Sequence, residues 1–146
     1  MRSDLVYARI LVPTDGSPCA DRAVTHGVAV ARAMGSSIVF LFVMDTLRNR
    51  REGVVNVEEA RQMLAAQGRS ATQHAVARAL EDRVRSEVEL LEGTPADVIL
   101  HRSEHFDLVV MGSHGAGALK RLTLGSVAQA VINRIARPLL VVRCPA

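Results

Sequence analysis

Residues 111–129, MGSHGAGALKRLTLGSVAQ, are the most informative stretch for the fold, and their first residue ends the largely apolar run Asp107–Met111. The run has the composition of a buried strand, and glycines at 112, 115 and 117 predict a loop whose backbone a ligand can approach. The full spacing, G-x2-G-x9-G-S, ends at Gly125 and Ser126, where an apolar helical pattern begins. A helix N-terminus offers unpaired N–H donors and the positive end of the helix dipole. The stretch therefore predicts a strand, a loop and a helix that together bind a phosphorylated ligand.

This loop differs from the Walker pattern, because no Gly-Lys-Ser/Thr follows at the required spacing. An ordinary strand-to-helix loop, with glycines serving only its turns, is the alternative interpretation. Ser126 and Gln129 fit a capping box, which predicts Ser126 as the N-cap of the helix. Lys120 and Arg121 lie where a triphosphate tail would extend, although surface cations are usually only solvated. His114 lies among the glycines, within reach of phosphates or an associated metal ion.

Length and composition restrict the class of protein. The 146 residues predict a single domain, 1–146, and the longest apolar run, Ile38–Met44, is too short to cross a membrane. The N-terminus lacks the pattern of a secretory signal, so a cytoplasmic location is expected. The net charge of +3 is dispersed and aromatic residues make up only 3%, which argues against nucleic-acid binding. Cys19 and Cys144 have no metal or redox spacing, so we expect two reduced, inert thiols.

Apolar runs alternate with helical patterns along the whole chain. Strands are predicted at 8–12, 37–44, 83–91, 107–111 and 138–143, the third as an edge strand, and helices at 18–34, 57–82, 95–103 and 126–135. A polar connection is expected at 45–55, and Gly68 predicts a break or a frayed start in the second helix. The alternation predicts a doubly wound, three-layer α/β fold around a parallel sheet, whose ligands bind at the carboxyl ends of the strands. The end of the first strand is therefore expected to face the glycine-containing loop after the fourth strand across the crevice where the strand order reverses.

Two of these strand ends carry candidate ligand contacts. Asp15 follows the first strand, where its carboxylate can accept hydrogen bonds from a ribose hydroxyl or an adenine amine, or can cap the next helix with Ser17. Both interpretations stay open. Val43 ends the second strand and can offer its backbone to a purine edge, although a plain core position is the stronger interpretation. His101 and His105 are expected on the surface, because a third metal ligand is not apparent.

Several of these segments together resemble the universal stress protein family, and the resemblance extends from about residue 8 to residue 143. They are VPTDGS at 12–17, VMD at 43–45, GTPA at 93–96, DLVVMGSHG at 107–115, GSV at 125–127 and RPLLVV at 137–142. The resemblance implies a five-stranded parallel sheet of order 3-2-1-4-5 that binds ATP, with Mg2+ or Mn2+. Because the glycine motif is intact, it also implies the ATP-binding branch of the family.

The resemblance further assigns roles to individual positions. Asp15 would meet the adenosine, Val43 would bind adenine through its backbone, and Met111 and Gly112 would flank the ribose. The implied nucleotide-binding residues are Pro13, Thr14, Asp15, Val43, Met111, Gly112, Ser113, His114, Gly115, Gly125, Ser126 and Val127. A homodimer joined through Leu139, Leu140, Val141 and Val142 is also implied, and pairing would cover an apolar edge strand that otherwise invites aggregation.

The leading functional hypothesis is a cytosolic ATP-binding stress-response homodimer whose shape, stability or partners depend on the nucleotide. A slow ATPase or nucleotidyl transferase on the same scaffold is the rival, although no general base or second catalytic motif is evident in the sequence. A ligand-free interaction module is the third possibility. AMP or cyclic AMP in place of ATP stays open, because all three share the adenosine end.

Overall fold

The computed structural model describes residues 7–53, 56–115 and 124–144. Its elements are β1 (Arg9–Pro13), α1 (Pro18–Met34), β2 (Ser37–Met44), α2 (Thr46–Arg51), α3 (Val57–Glu81), β3 (Ser86–Glu92), α4 (Pro95–Ser103), β4 (Leu108–Gly112), α5 (Ser126–Arg134) and β5 (Leu139–Val142). Within these ranges, five parallel strands form one sheet in the order β3-β2-β1-β4-β5. The predicted doubly wound fold and the implied strand order are confirmed, and β3 is an edge strand as expected.

Helices cover both faces of the sheet because the strand side chains alternate between two apolar clusters. Ile10 and Val12 of β1 pack in a cluster that includes buried residues of α1 and α3. Leu11, between them, packs on the opposite face in a cluster with buried residues of α4 and α5. Among the helices of the described ranges, none combines the length and the apolar character that a bilayer crossing requires.

The first helix begins and ends where its sequence signals predict. The Ser17 hydroxyl accepts a hydrogen bond from Ala20 N at 3.2 Å, and Pro18 occupies the first helical position. Gly35 ends the helix with a φ of 70°, a left-handed conformation that glycine adopts without a Cβ penalty. Both ends of α1 are therefore set by local sequence signals.

The expected break at Gly68 is wrong, because α3 runs without interruption across it. A Cβ at Gly68 would lie 2.7 Å from Phe42 Cδ1 and 3.1 Å from Leu90 Cδ2. The missing side chain therefore lets the helix approach β2 and β3 closely, and the packing against the sheet offsets the poor helix propensity of glycine.

The polar connection after β2 contains a short helix, α2, that the sequence did not predict. Asp45 explains its start, since the carboxylate accepts a hydrogen bond from Arg48 N at 3.0 Å. Arg48 also pairs with Glu52, with 3.1 Å between Nε and Oε1. The third strand begins at Ser86 rather than at 83, because Arg83 has a φ of 57° in the turn that precedes it.

Candidate functional site

The carboxyl end of β1 leads into a tightly hydrogen-bonded turn. Thr14 N donates to Leu41 O of β2 at 2.9 Å, and Gly16 N donates to the Thr14 hydroxyl at 3.2 Å. Asp15 Oδ1 accepts from Ser17 N at 2.9 Å, whereas the cap of α1 itself is the Ser17 hydroxyl. Asp15 therefore shapes the turn rather than capping the helix, and its backbone lies at the carboxyl edge of the sheet.

The Asp15 carboxylate also lies against the glycine loop. A Cβ built on Gly115 would be 2.9 Å from Asp15 Oδ2. The end of β1 and the loop after β4 therefore face each other across the crevice where the strand order reverses. This is the juxtaposition that the sequence pattern required of a ligand site at this edge.

The start of α5 returns to the end of β4, which closes the glycine loop. Gly125 N donates to Ser113 O at 2.8 Å, and a Cβ on Gly125 would lie 3.3 Å from both Ser113 O and His114 Cα. The strand end and the helix N-terminus are thus in direct contact. The intervening positions Gly117, Lys120 and Arg121 lie outside the described residues.

The prediction that Ser126 is the N-cap is wrong. Gly125 is the N-cap, with φ −65° and ψ 159°, and Ser126 is the first helical residue, with an exposed side chain. Gln129 N donates to Gly125 O at 2.9 Å, so the helix begins one residue earlier than a capping box at Ser126 would set it. Val127 packs against the apolar cluster below the helix. With no side-chain cap on α5, its first N–H groups are donors that an anion can use.

Val43 lies at the carboxyl end of β2, where the strand extends past its neighbour. The register pairs Pro13, the last residue of β1, with Leu41, so Val43 lies two residues beyond β1. Leu41 O already faces the β1 side, where it accepts from Thr14 N, and alternate residues of a strand direct their backbone groups to the same side. The N–H and C=O of Val43 therefore point towards the crevice that β1 leaves, while its side chain is half-buried.

The residues at the end of β4 are mostly buried and serve the fold as well. Met111 packs in the apolar cluster of the α4 and α5 face. Gly112 admits α1, since a Cβ there would be 3.0 Å from both the backbone O and the Sγ of Cys19. Ser113 is fully buried and its hydroxyl lies 2.9 Å from His114 Nδ1. His101 and His105, by contrast, are exposed as predicted.

A polar contact joins the carboxyl end of β3 to α3. Glu92, at the end of β3, has its pKa lowered by a hydrogen bond from Thr46 and then by Arg61, whose Nε lies 3.3 Å from Glu92 Oε2. The hydrogen bond with Glu92 and the negative charge of Glu92 in turn raise the pKa of Arg61 above its ordinary value. Glu58 is a further partner, with its Oε2 2.9 Å from Arg61 Nη1. These contacts hold α2 and α3 to the carboxyl end of β3.

The expectation of two reduced thiols is wrong for this structure. Cys19 and Cys144 form a disulfide, with their Cα atoms 5.5 Å apart across 125 residues of sequence. The distance between the two cysteines along the sequence does not indicate that they pair. The strand order explains the pairing, because β5 lies beside β4 and the start of α1 packs over the end of β4.

A doubly wound α/β domain with a glycine loop at its topological switch point belongs to the class of folds that bind ligands at the carboxyl ends of their strands. Comparison with known proteins narrows this class: the model of the universal stress protein family matches residues 7–143. The chain belongs to that family.

Individual relatives agree with this assignment. Universal stress protein MJ0531 of Methanocaldococcus jannaschii is 34% identical over 145 residues, covering 96% of this chain and 84% of the relative. The solved structure of MJ0577, a universal stress protein of the same organism, is 27% identical with a TM-score of 0.82, covering 97% of this chain and 99% of that one.

Two further solved structures share the fold and hold nucleotides. One is a universal stress protein in complex with cAMP, with a TM-score of 0.68 and 22% identity, covering 94% of this chain and 97% of that one. The other is the universal stress protein from Archaeoglobus fulgidus in complex with dAMP, with a TM-score of 0.72 and 20% identity, covering 94% and 99%.

Proposed function

We propose that this protein binds ATP, or another adenine nucleotide, in the crevice between the end of β1 and the loop from β4 to α5. The observation that carries the proposal is the 2.8 Å hydrogen bond from Gly125 N to Ser113 O, which brings a helix N-terminus without a side-chain cap against the strand end. Anions bind well at such a terminus. The complexes of related proteins with cAMP and dAMP support the adenine class of ligand.

Each end of the nucleotide has a matching part of the site. The outward backbone of Val43 suits an adenine edge, and the carboxylate of Asp15 suits a ribose hydroxyl or the adenine amine. Met111 and Gly112 would flank the ribose. The phosphates would bind backbone N–H groups of Gly115, Ser126 and Val127. Gly125, whose own N–H donates to Ser113 O, would leave room for their approach. Pro13, Thr14, Ser113 and His114 would complete the nucleotide-binding residues of the site.

A divalent cation, Mg2+ or Mn2+, would accompany ATP in this proposal. Mg2+ in nucleotide sites is usually held by one or two carboxylates together with the phosphates themselves. Because Asp15 is assigned to the adenosine in this proposal, the phosphates and water would hold the ion, and no carboxylate of the described residues is assigned to it. Bound to the phosphates, the ion would offset their charge.

The nucleotide would act as a regulatory ligand for a stress response. A ligand that binds only the folded state stabilises it by about 2.7 kcal/mol at a hundredfold excess over Kd. Nucleotide supply would thereby alter the stability of the crevice and the surface around it. A cytoplasmic location, where adenine nucleotides are abundant, stays a prediction.

The test of nucleotide binding is calorimetric titration with ATP, AMP, cyclic AMP and GTP, with magnesium present. We expect the adenine nucleotides to bind and GTP to bind more weakly. Asp15→Asn keeps an oxygen for Ser17 N but removes the charge, so a lost charged hydrogen bond of about 1.5–3 kcal/mol should weaken binding roughly 10- to 100-fold.

Asp97→Asn is the matched control, since Asp97 is an exposed carboxylate that pairs with Arg134 at 2.9 Å on another part of the surface. Equal affinity of Asp15→Asn and Asp97→Asn for ATP would contradict the proposed site. Prolonged incubation with labelled ATP then separates a binder, which returns ATP intact, from a slow ATPase, which releases ADP.

We also propose a homodimer joined through β5. Leu139, Leu140, Val141 and Val142 form an edge strand of the sheet, and Leu140 is 37% exposed. An exposed apolar edge favours pairing with a second copy through the same strand. Sedimentation should show a dimer for the native protein, and Leu140→Lys should dissociate it. The control is Leu80→Lys, which changes a side chain 73% exposed in α3 and should leave the dimer intact. A monomeric native protein would refute this part.

A further inference from the structure

A second cluster of ligand-type side chains lies behind the glycine loop. Cys19 belongs to the first turn of α1, His114 follows β4, and Cys144 follows β5. The two sulfur atoms and a ring nitrogen of His114 all lie within 4.8 Å of one another. Among the described residues, this is the group of three that the fold brings together with ligand atoms this close.

The imidazole of His114 is the unusual member of the cluster. His114 is only 9% exposed, and its Nε2 atom is buried without a hydrogen-bond partner within the described part of the chain. A buried polar atom left unpaired is costly, so such an atom in a native fold needs an explanation. Nδ1 lies 2.9 Å from the Ser113 hydroxyl. If Nδ1 carries the proton and donates it to that oxygen, the lone pair of Nε2 is left free for a ligand.

That arrangement is typical of histidines that bind metals. A metal-bound imidazole normally donates its other N–H to an oxygen, which sets the tautomer and the orientation of the ring. Ser113 is fully buried and therefore well placed to do so. The Ser113 hydroxyl also lies 3.8 Å from Cys19 Sγ. The buried Ser113 side chain therefore contacts both the sulfur of Cys19 and the imidazole of His114.

The cysteines complete a soft donor set when they are reduced. A tetrahedral zinc ion with bonds of about 2.3 Å needs its two sulfur ligands about 3.8 Å apart. The Cα separation of 5.5 Å between Cys19 and Cys144 allows this spacing as well as the disulfide, since a change of side-chain rotamer separates the sulfur atoms. Two thiolates and one imidazole favour Zn2+ over Mg2+, which prefers oxygen.

We propose that Cys19, His114 and Cys144, with both thiols reduced, form a binding site for a thiophilic divalent cation, with Zn2+ as the preferred ion. Three protein ligands leave the fourth position to water or another small ligand. The disulfide is the alternative state of the same pair and excludes the metal. The site needs no nucleotide, so it can be tested independently of the proposed function.

The experiment uses Co2+ as a spectroscopic probe in the full chain, kept reduced by a phosphine. Thiolate-to-cobalt charge-transfer bands and intense tetrahedral d–d bands should grow until one ion is bound per chain, and Zn2+ should abolish them. The same protein with its disulfide formed is the matched control, and it should give neither set of bands. A reduced chain without charge-transfer bands would overturn the proposal and leave the cysteines as a disulfide pair only.

Variants assign the third ligand. His114→Ala should weaken Co2+ binding by at least about 10-fold, and Ser113→Ala, which removes only the hydroxyl beside Nδ1, by about 10-fold. His74→Ala, on a side chain 72% exposed, should change nothing. Circular dichroism establishes that each variant is folded. If folded His114→Ala and Ser113→Ala chains bind Co2+ as the native chain does, the imidazole is not a ligand and the proposed site is refuted.

Discussion

Replacing Gly68 by alanine sets two opposing effects of known size against each other. In the middle of a helix, alanine is favoured over glycine by about 1 kcal/mol, so helix propensity alone predicts stabilisation. The structure predicts the opposite sign. The new Cβ would be 2.7 Å from Cδ1 and 2.9 Å from Cγ of Phe42, distances that real Cβ atoms do not adopt.

The size of the clash follows from how little its partners can move. Phe42 is buried in β2, and Leu90 Cδ2 on the neighbouring strand would be only 3.1 Å away. Overpacking a filled core costs about 1–3 kcal/mol. After subtraction of the propensity gain, we expect Gly68→Ala to lower the free energy of unfolding by up to about 2 kcal/mol.

Urea unfolding followed by circular dichroism measures this change, and Ala66→Gly calibrates it. Ala66 is exposed on the same helix, so its replacement reports helix propensity without a packing contribution. The double variant Phe42→Leu, Gly68→Ala should show a favourable coupling energy, because a smaller side chain makes room for the Cβ. If Gly68→Ala instead stabilises the protein by as much as Ala66→Gly destabilises it, close contact between α3 and β2 is refuted.

Two further predictions concern the covalent and ionic contacts. Reduction of the disulfide, which joins residues 125 positions apart, should lower the free energy of unfolding by up to about 5 kcal/mol. Urea unfolding curves with and without reductant test this, and the curve of a Cys144→Ser chain should not respond to reductant. Hydrogen bonds from Thr46 and Arg61 lower the pKa of Glu92, so their stabilisation is present above the ordinary glutamate pKa and is lost as the pH falls through the lowered value. In an NMR titration, Thr46→Ala should raise the pKa of Glu92, and an unchanged pKa would contradict the contact.

Elements determined by local signals could be predicted from the sequence. The strand 37–44 has the predicted bounds because its apolar, β-branched run is buried on both faces, and α1 begins at Ser17–Pro18 because the cap and the proline act within one turn. The meeting of the β1 end with the glycine loop also followed, since it depends only on the alternation of strands and helices.

The features that the sequence did not predict depend on contacts between distant residues. Gly68 indicates a helix break until the ring of Phe42 is known to lie against it. Ser126 fits a capping box, but the backbone contact between Gly125 and Ser113 starts the helix one residue earlier. The pairing of Cys19 with Cys144 requires knowledge of which strand lies under which helix.

The three described glycines of the loop motif are required for different physical reasons, and this distinguishes packing from ligand binding. At Gly112 a Cβ would strike the backbone of Cys19, and at Gly125 it would crowd Ser113 O, so the fold alone accounts for both. Among the described residues, a Cβ at Gly115 would meet only Asp15 Oδ2, the end of a side chain. The packing of the described residues therefore gives little reason for glycine at 115, whereas close approach of a phosphate to the backbone would give one. Gly115→Ala should accordingly fold with near-native stability and lose nucleotide affinity; a variant that keeps full affinity for ATP would show that no phosphate approaches this position.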